Sequence, residues 1–287
     1  MVTGINMLTV ALVFGLLGAS CGVKAGEKPM PQWDGKESIA DYAKRMGAEP
    51  TLTLDLRGGV KVELVLIPAG KFMMGSPENE KDRNKDEGPQ HEVTISQAFY
   101  MGKFVVTQEQ GQAIMGDNPS HFQGANNPVT NVSWNDAQHF FCRKLTTTSG
   151  KKVRLPTEAE WEYACRAGST TPYSFGDSEN GLADYAWYKS NSDDKMHPVG
   201  EKKPNAWGLY DVHGNVGQWC QDRAAYYASG AATDPTGPAT GAGRVIRGSS
   251  FNDLATACRS ARRGYPLADR QFNTDGFRVV VDASRNP

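Results

Sequence analysis

Cysteine is the most reactive side-chain type in this chain, at positions 21, 142, 165, 220 and 258. No two of these form a C-x-x-C pair, so neither a zinc knuckle nor a thioredoxin-type dithiol is supported. The histidines, His91, His121, His139, His197 and His213, show neither H-E-x-x-H nor H-x3-H spacing and give no metal triad. The densest set of candidate oxygen ligands lies in residues 205–222. That stretch crowds three glycines, two tryptophans, two asparagines and two aspartates into eighteen residues. Glycine and asparagine favour positive-φ bends over regular helix or strand. Loops of this composition are ordered by buried aromatic rings, and often by a cation held on carbonyl and carboxylate oxygens.

The elements that must position these groups are short. The 287 residues carry 31 glycines and 16 prolines, with 39% hydrophobic content, which implies a folded, loop-rich globule. Net charge is −1 with no clustered cationic face, so nucleic acid is not an expected partner. Met7–Ser20 is an apolar run too short to span a bilayer, which takes about 20 residues. It reads as a signal-peptide core ahead of Cys21, and Gly18-Ala19-Ser20-Cys21 resembles a bacterial lipobox. The expectation is export, with Cys21 lipidated, and a cell-envelope location, membrane-anchored or periplasmic. Export makes pairing of the remaining cysteines reasonable.

Residues 21–36 then read as a tether and 37–60 as an N-terminal extension. A helix is expected from Ser38 to Met46, capped by Ser38. A hairpin is expected around Arg57-Gly58-Gly59, and a strand from His91 to Ile95. Helices follow at Thr107–Met115 and Ser133–Leu145, the latter with Ala137, Phe140, Phe141 and Leu145 on one apolar stripe. Thr157-Glu-Ala-Glu160 is a capping box opening a third helix, with Trp161 and Ala164 facing the core. From Gly168 to Gly243 the pattern yields turns and short extended pieces. Strands are expected at Arg244–Arg247 and Phe277–Val281. The mixed charges from Glu78 to Glu87 read as a solvated loop.

Three segments in order, Arg154-Leu-Pro-Thr-Glu-Ala-Glu-Trp-Glu-Tyr-Ala-Cys165, residues 205–222 and Gly276-Phe-Arg-Val279, resemble the formylglycine-generating enzyme (sulfatase-modifying factor) family. The resemblance covers about residues 60 to 282. It implies a compact α+β domain at residues 61–283, similar in plan to C-type lectin-like domains. It also implies a calcium ion held by Asp211, the Gly214 and Val216 carbonyls and Gln218. Glutamine stands at 218 where the family has glutamate, which removes one ligand charge.

Family oxidases use a Cys-x4-Cys pair that binds copper(I), shortly after a Gly-Gly-Ser-Tyr/Phe motif. That motif is Gly248-Ser249-Ser250-Phe251 here. Asp253 stands at the first cysteine position, and ungapped counting places Cys258 at the second. Any catalytic set would therefore be Ser250, Asp253 and Cys258. A lone thiolate beside a hard carboxylate holds copper(I) poorly, which argues against a copper centre. The tryptophan that lines the family pocket is Gly217 here. The resemblance also places Cys165 and Cys258 at positions that form a disulfide in exported members, a second use for the same thiol.

Arg154 and Arg278 are expected to bond several carbonyls each beside core aromatics. Arg259, Arg262, Arg263 and Arg270 could meet an acidic ligand or line a solvated rim. His213 reads as a polar loop residue beside the cation site. Three functions stay open. One is an exported family member that is not itself a copper-dependent formylglycine oxidase. The others are a divergent oxidase for a peptide or peptide-derived substrate, and a lipid-anchored ligand-binding or envelope-assembly module.

Overall fold

The computed structural model describes residues 30–284. The apolar leader, Cys21 and most of the expected tether lie outside the described residues. Packing begins inside the segment read as tether. The Trp33 N–H donates to Ala69 O at 2.7 Å, and its ring meets Trp207 edge-on at 5.2 Å. Helix α1 (Ile39–Met46) follows, with Ser38 Oγ accepting from the Asp41 N–H and Gly47 at φ 73° as its left-handed stop. It buries Tyr42, Ala43 and Met46 against the sheet formed next.

Strands β1 (Thr51–Asp55) and β2 (Lys61–Ile67) form the expected hairpin, pairing Thr51 with Val65. Strands β3 (Gly70–Met74) and β4 (His91–Ile95) pair antiparallel, and β5 (Phe99–Gly102) lies against β2. Helix α2 (Gln108–Met115) has a Thr107–Gln110 capping box.

The next helix departs from the expected register. Asp136–Cys142 is a π-helical segment running on into α3 (Arg143–Ser149). The wider π turn carries more residues per turn than the α spacing assumed from sequence. Ala137, Phe141 and Leu145 stay in the core as expected, while Phe140 is turned out and 43% exposed.

After β6 (Val153–Arg154) comes α4 (Glu158–Arg166), capped by Thr157 and Glu160, with all of its residues except Glu160 buried. Short elements follow: α5 (Leu182–Tyr185), β7 (Ala186–Trp187) and β8 (His213–Gly214). Then β9 (Gly217–Arg223) runs seven residues through the glycine-rich stretch, where only turns and short pieces were expected. Its first four residues are buried on both faces, so no apolar/polar alternation marks it in the sequence. Strands β10 (Ala232–Thr233), β11 (Arg244–Arg247), β12 (Arg263–Gly264), β13 (Asp275–Gly276) and β14 (Val280–Asp282) complete the chain.

The sheets order as β1-β2-β5-β14-β6, β10-β4-β3, β12-β11-β9-β13 and β7-β8. Trp219, Phe141 and Phe277 fill one core cluster, and Trp161, Tyr163 and Phe99 a second. Strand β9 serves both, because Trp219 belongs to the first and Cys220 to the second. Among the described residues, no helix is long and apolar enough to cross a membrane.

Candidate functional site

The loop after β11 brings Ser250, Phe251 and Asp253 beside the start of β9. Gly248 and Ser249 both have positive φ, 91° and 61°, which bends the chain sharply out of the strand. The loop is pinned by Gly214 N–H to Gly248 O at 2.7 Å and Phe251 N–H to Asn215 O at 2.9 Å. The Ser192 hydroxyl holds Phe251 O, and the Lys189 N–H holds Asp253 O. One carboxylate oxygen of Asp253 accepts from both the Ser250 N–H and the Ser250 hydroxyl, each at 2.8 Å. Ser250 and Asp253 therefore form one hydrogen-bonded unit.

Cys258 does not join them. Its thiol is fully buried among Tyr173, Leu182 and Ala186, and lies 3.7 Å from Leu254 O. Burial pushes its pKa up, away from the thiolate. In its place the structure supplies a residue that sequence reasoning missed, Asp275 on β13. Thr274 Oγ1 donates to Asp275 Oδ1 at 3.0 Å. Burial, with the Asp253 charge adding to it, lifts the Asp275 carboxyl to about 6. The signal was present as Thr274-Asp275 directly before Gly276-Phe277, but only the parallel pairing of β13 with β9 brings it to this loop. Asp275 and Asp253 are carboxyls near enough to interact, and Asp253 also holds the Ser250 hydroxyl. Such a pair can accept and donate protons or hold polar ligand groups.

Gly217 is not a gap. A Cβ there would stand 2.9 Å from Ile246 Cδ1 and 3.3 Å from Asp275 Oδ1, so the space is already filled. The position that holds a tryptophan in the family therefore leaves no open groove in this chain.

The expected calcium ligands are close in space but do not form a cage. Gln218 Oε1 accepts from Trp161 Nε1 and from Arg278 Nε, both at 2.7 Å, and Gln218 Nε2 donates to Asp211 O. Arg278 further donates to Gly102 O at 2.8 Å and Tyr210 O at 2.7 Å. The Asp211 carboxylate receives the Gly200 N–H and the Asn215 amide, and burial raises its pKa. Gly214 sits on β8, and Val216 packs its side chain in a small cluster with Val105, Met196 and Phe251. A guanidinium already takes the Gln218 oxygen expected to bind calcium, so these residues do not fit the ion in this arrangement.

The expected Cys165–Cys258 bridge is not formed; Cys142, Cys165, Cys220 and Cys258 are all free and buried. Cys165 on α4 turns its sulfur to Val212 O and Ser260 Oγ in the second core cluster, whereas Cys258 sits in a separate one. His213 is likewise interior. Its Nδ1–H donates to Cys258 O, and Nε2 accepts from the Ser174 N–H. Burial pushes its pKa down to about 4, so the ring is neutral at physiological pH.

The arginines resolve differently from one another. Arg154 forks onto Glu160, with both contacts at 2.7 Å, and also bonds Leu155 O. Arg259 is buried on Glu87 and Glu80, so the charged segment read as solvated is partly an interior ion-pair network. Arg263 forks onto Glu158 at 2.6 and 2.7 Å. Only Arg270 of the expected cluster is exposed, which leaves no arginine patch for an acidic ligand.

Mixed sheets wrapped on a buried capped helix, with a serine–carboxylate loop at the end of a central strand, define a single-domain scaffold with a loop-borne site. The family model for the sulfatase-modifying factor enzyme 1-like domain matches residues 58–283. The chain belongs to this family. It is 37% identical to the formylglycine-generating enzyme of Thermomonospora curvata, across 76% of this chain and 93% of that one. It is 32% identical to the chaperone protein LppX of Paenibacillus barcinonensis, across 56% of this chain and 71% of the other. Among solved structures, Treponema denticola variable protein 1 superposes with a TM-score of 0.75 at 32% identity, covering 81% of this chain and 99% of that one.

Proposed function

We propose that this chain is an exported, lipid-anchored family member that recognises a peptide or protein ligand and does not by itself carry out copper-dependent formylglycine synthesis. One observation carries the reading. The position of the first family cysteine is Asp253, locked onto Ser250, while the Cys258 thiol is buried and faces Leu254 O. Copper(I) requires soft ligands in close array, and a hard carboxylate with an inaccessible thiol does not supply them. Ser250, Asp253 and Asp275 instead offer a hydroxyl and two carboxyls, groups suited to hydrogen-bonding a polar ligand. The chaperone name of the Paenibacillus relative is consistent with recognition rather than oxidation. Anchoring rests on the Met7–Ser20 run and Cys21.

The test incubates the purified protein, supplied with copper(I), with a Cys-x-Pro-x-Arg peptide under air. No aldehyde-reactive product is expected, and its appearance with loss of thiol mass overturns the reading. Fatty-acid labelling of cells tests the anchor, with label expected on the wild type and absent from Cys21→Ala.

A further inference from the structure

At the far end of β9 from the serine–carboxylate loop lies a cavity of about 400 Å3. Asp222 lies five residue steps along β9 from Gly217, roughly 17 Å in an extended strand, so this is a different place on the molecule. The cavity is enclosed by the start of α4, the end of β9, His91 on β4 and the loop 225–238. Met74, Ala225, Ala228, Ala231 and Pro235 make much of its wall apolar. Its charged groups other than Asp222, with His91 and Tyr227, are committed elsewhere, while the Tyr226, Ser229 and Thr236 hydroxyls also line it. Arg263 is committed to Glu158 and to Asp86 O. The Tyr227 hydroxyl donates to Glu158 Oε1, His91 Nδ1 is held at Pro89 O, and Arg223 donates to Gly241 O.

Among the charged groups, Asp222 is the exception. It is 4% exposed and lines the cavity, and its carboxyl accepts one hydrogen bond, from the Glu158 N–H to Oδ2 at 2.9 Å. Oδ1 has no hydrogen-bond partner and no ion pair among the described residues. The neighbouring Arg263 is already spent on Glu158, so an ionised Asp222 in this buried setting is costly unless a further cation supplies the charge. The apolar wall and the single unpaired acid together specify a ligand with an aliphatic stem and one cationic end. Tyr226, 76% exposed at the rim, is placed to lie over such a stem.

We propose that this cavity is a binding site for a primary alkylammonium group, the chemistry of a lysine side chain, with Asp222 as its counterion. The charges facing Asp222 are Glu158 and Glu160 from α4, Arg263 from β12, Arg223 beside it on β9 and Arg244 from β11, with His91 also on the cavity wall. Burial first, and then the Glu158 charge, raises the Asp222 carboxyl to about 8. At pH 6 the ammonium must therefore displace a proton from Asp222 as it binds, whereas at pH 9 Asp222 is already ionised and no proton is released. An ammonium keeps its charge throughout, with a pKa near 10.4. Affinity rises with pH up to about 8 and then levels.

Calorimetric titration of the full chain with Nα-acetyl-lysine methylamide tests this, against the norleucine analogue that lacks only the ammonium. The lysine compound is expected to bind at least tenfold more tightly. Binding at pH 6 is expected to release a proton, seen as a heat that depends on the buffer's ionisation enthalpy, with none released at pH 9. Asp222→Asn keeps an oxygen for the Glu158 N–H and is expected to lose at least tenfold in affinity along with the proton release. Ala228→Trp, at an exposed wall position that leaves the core intact, is expected to block binding. Equal binding of the norleucine compound, unchanged binding by Asp222→Asn, or no binding of either compound at millimolar concentration overturns the proposal.

Discussion

Arg278 donates its Nε–H to Gln218 Oε1 at 2.7 Å, tying the Gly-Phe-Arg segment to the glycine-rich stretch. The same amide oxygen receives Trp161 Nε1 from α4, so three segments far apart in sequence converge on one atom. Both Gln218 and Arg278 are fully buried. Removing the amide would leave a guanidinium and an indole N–H without their acceptor in the interior, a strongly destabilising loss.

Gln218→Ala is therefore expected to destabilise the fold by about 3 kcal/mol or more, read from urea denaturation. Gln218→Glu keeps the acceptor and offers Arg278 a countercharge, but gives up the Nε2–H bond to Asp211 O, so it should cost less than the alanine. If the two variants are equally destabilised, the Arg278 contact is not what Gln218 contributes.

Calcium follows from the same geometry. A cation that binds the folded state raises the melting temperature by mass action. Here the Gln218 oxygen is taken by Arg278, and the Asp211 carboxylate is held by the Gly200 N–H and the Asn215 amide. Melting temperatures in millimolar calcium and in chelator are expected to coincide. An upward shift that Asp211→Ala removes would show that the ion displaces the arginine.

Two buried groups make stability depend on pH in opposite senses. The Asp275 carboxyl, lifted to about 6, binds its proton more tightly folded than unfolded. Its contribution is fully present below about pH 4 and is lost as pH rises through 6, a cost of up to about 3 kcal/mol. His213, depressed to about 4, behaves in reverse; its contribution is present above about pH 6.5 and is lost as pH falls through 4. Asp275→Asn retains an oxygen for Thr274 and cannot ionise. Its stability relative to wild type should grow from near zero at pH 4 to about 3 kcal/mol at pH 7. A pH-independent difference would mean that Asp275 does not titrate in this range.

The legible parts of the fold are those that local chemistry determines. Ser38, Thr107 and Thr157 cap helices because a side-chain oxygen and the following N–H groups lie within one turn, a relationship visible in any linear sequence. Strand β9 was not legible, because burial on both faces erases alternation and its glycine resembles a turn. Ser250 and Asp253 were marked by the family motif, but their mutual hydrogen bonds appear only in the structure. Asp275 was not marked, since only the β13–β9 pairing delivers it. Buried charge was also misread, because the acidic partners of Arg259 lie more than 170 residues away in sequence.

The π turn gives a test of the same point. On an α-helical stripe Phe140 and Phe141 would both be core residues, yet Phe141 is fully buried and Phe140 is 43% exposed. Phe141→Ala is expected to cost about 3–5 kcal/mol, as for other large core truncations. Phe140→Ala should cost under about 1 kcal/mol, losing chiefly its contact with Lys144, whose ammonium lies 4.0 Å from the ring centre. Equal costs would restore the α-helical stripe.

The cysteines provide the remaining prediction, and it bears on function as well as fold. Each of the four described thiols is fully buried, and burial raises the pKa of every one, that of Cys165 to about 11. Alkylation requires a thiolate that a reagent can reach, and these groups provide neither. Native protein should therefore leave Cys142, Cys165, Cys220 and Cys258 unmodified by iodoacetamide at pH 8. The same reagent in urea, without any reductant, should modify all four. Recovery of a linked Cys165–Cys258 peptide would establish the disulfide that the family resemblance implied. Rapid native labelling of Cys258 alone would be the more consequential outcome, because a reachable thiol near Asp253 would reopen a catalytic role for the loop.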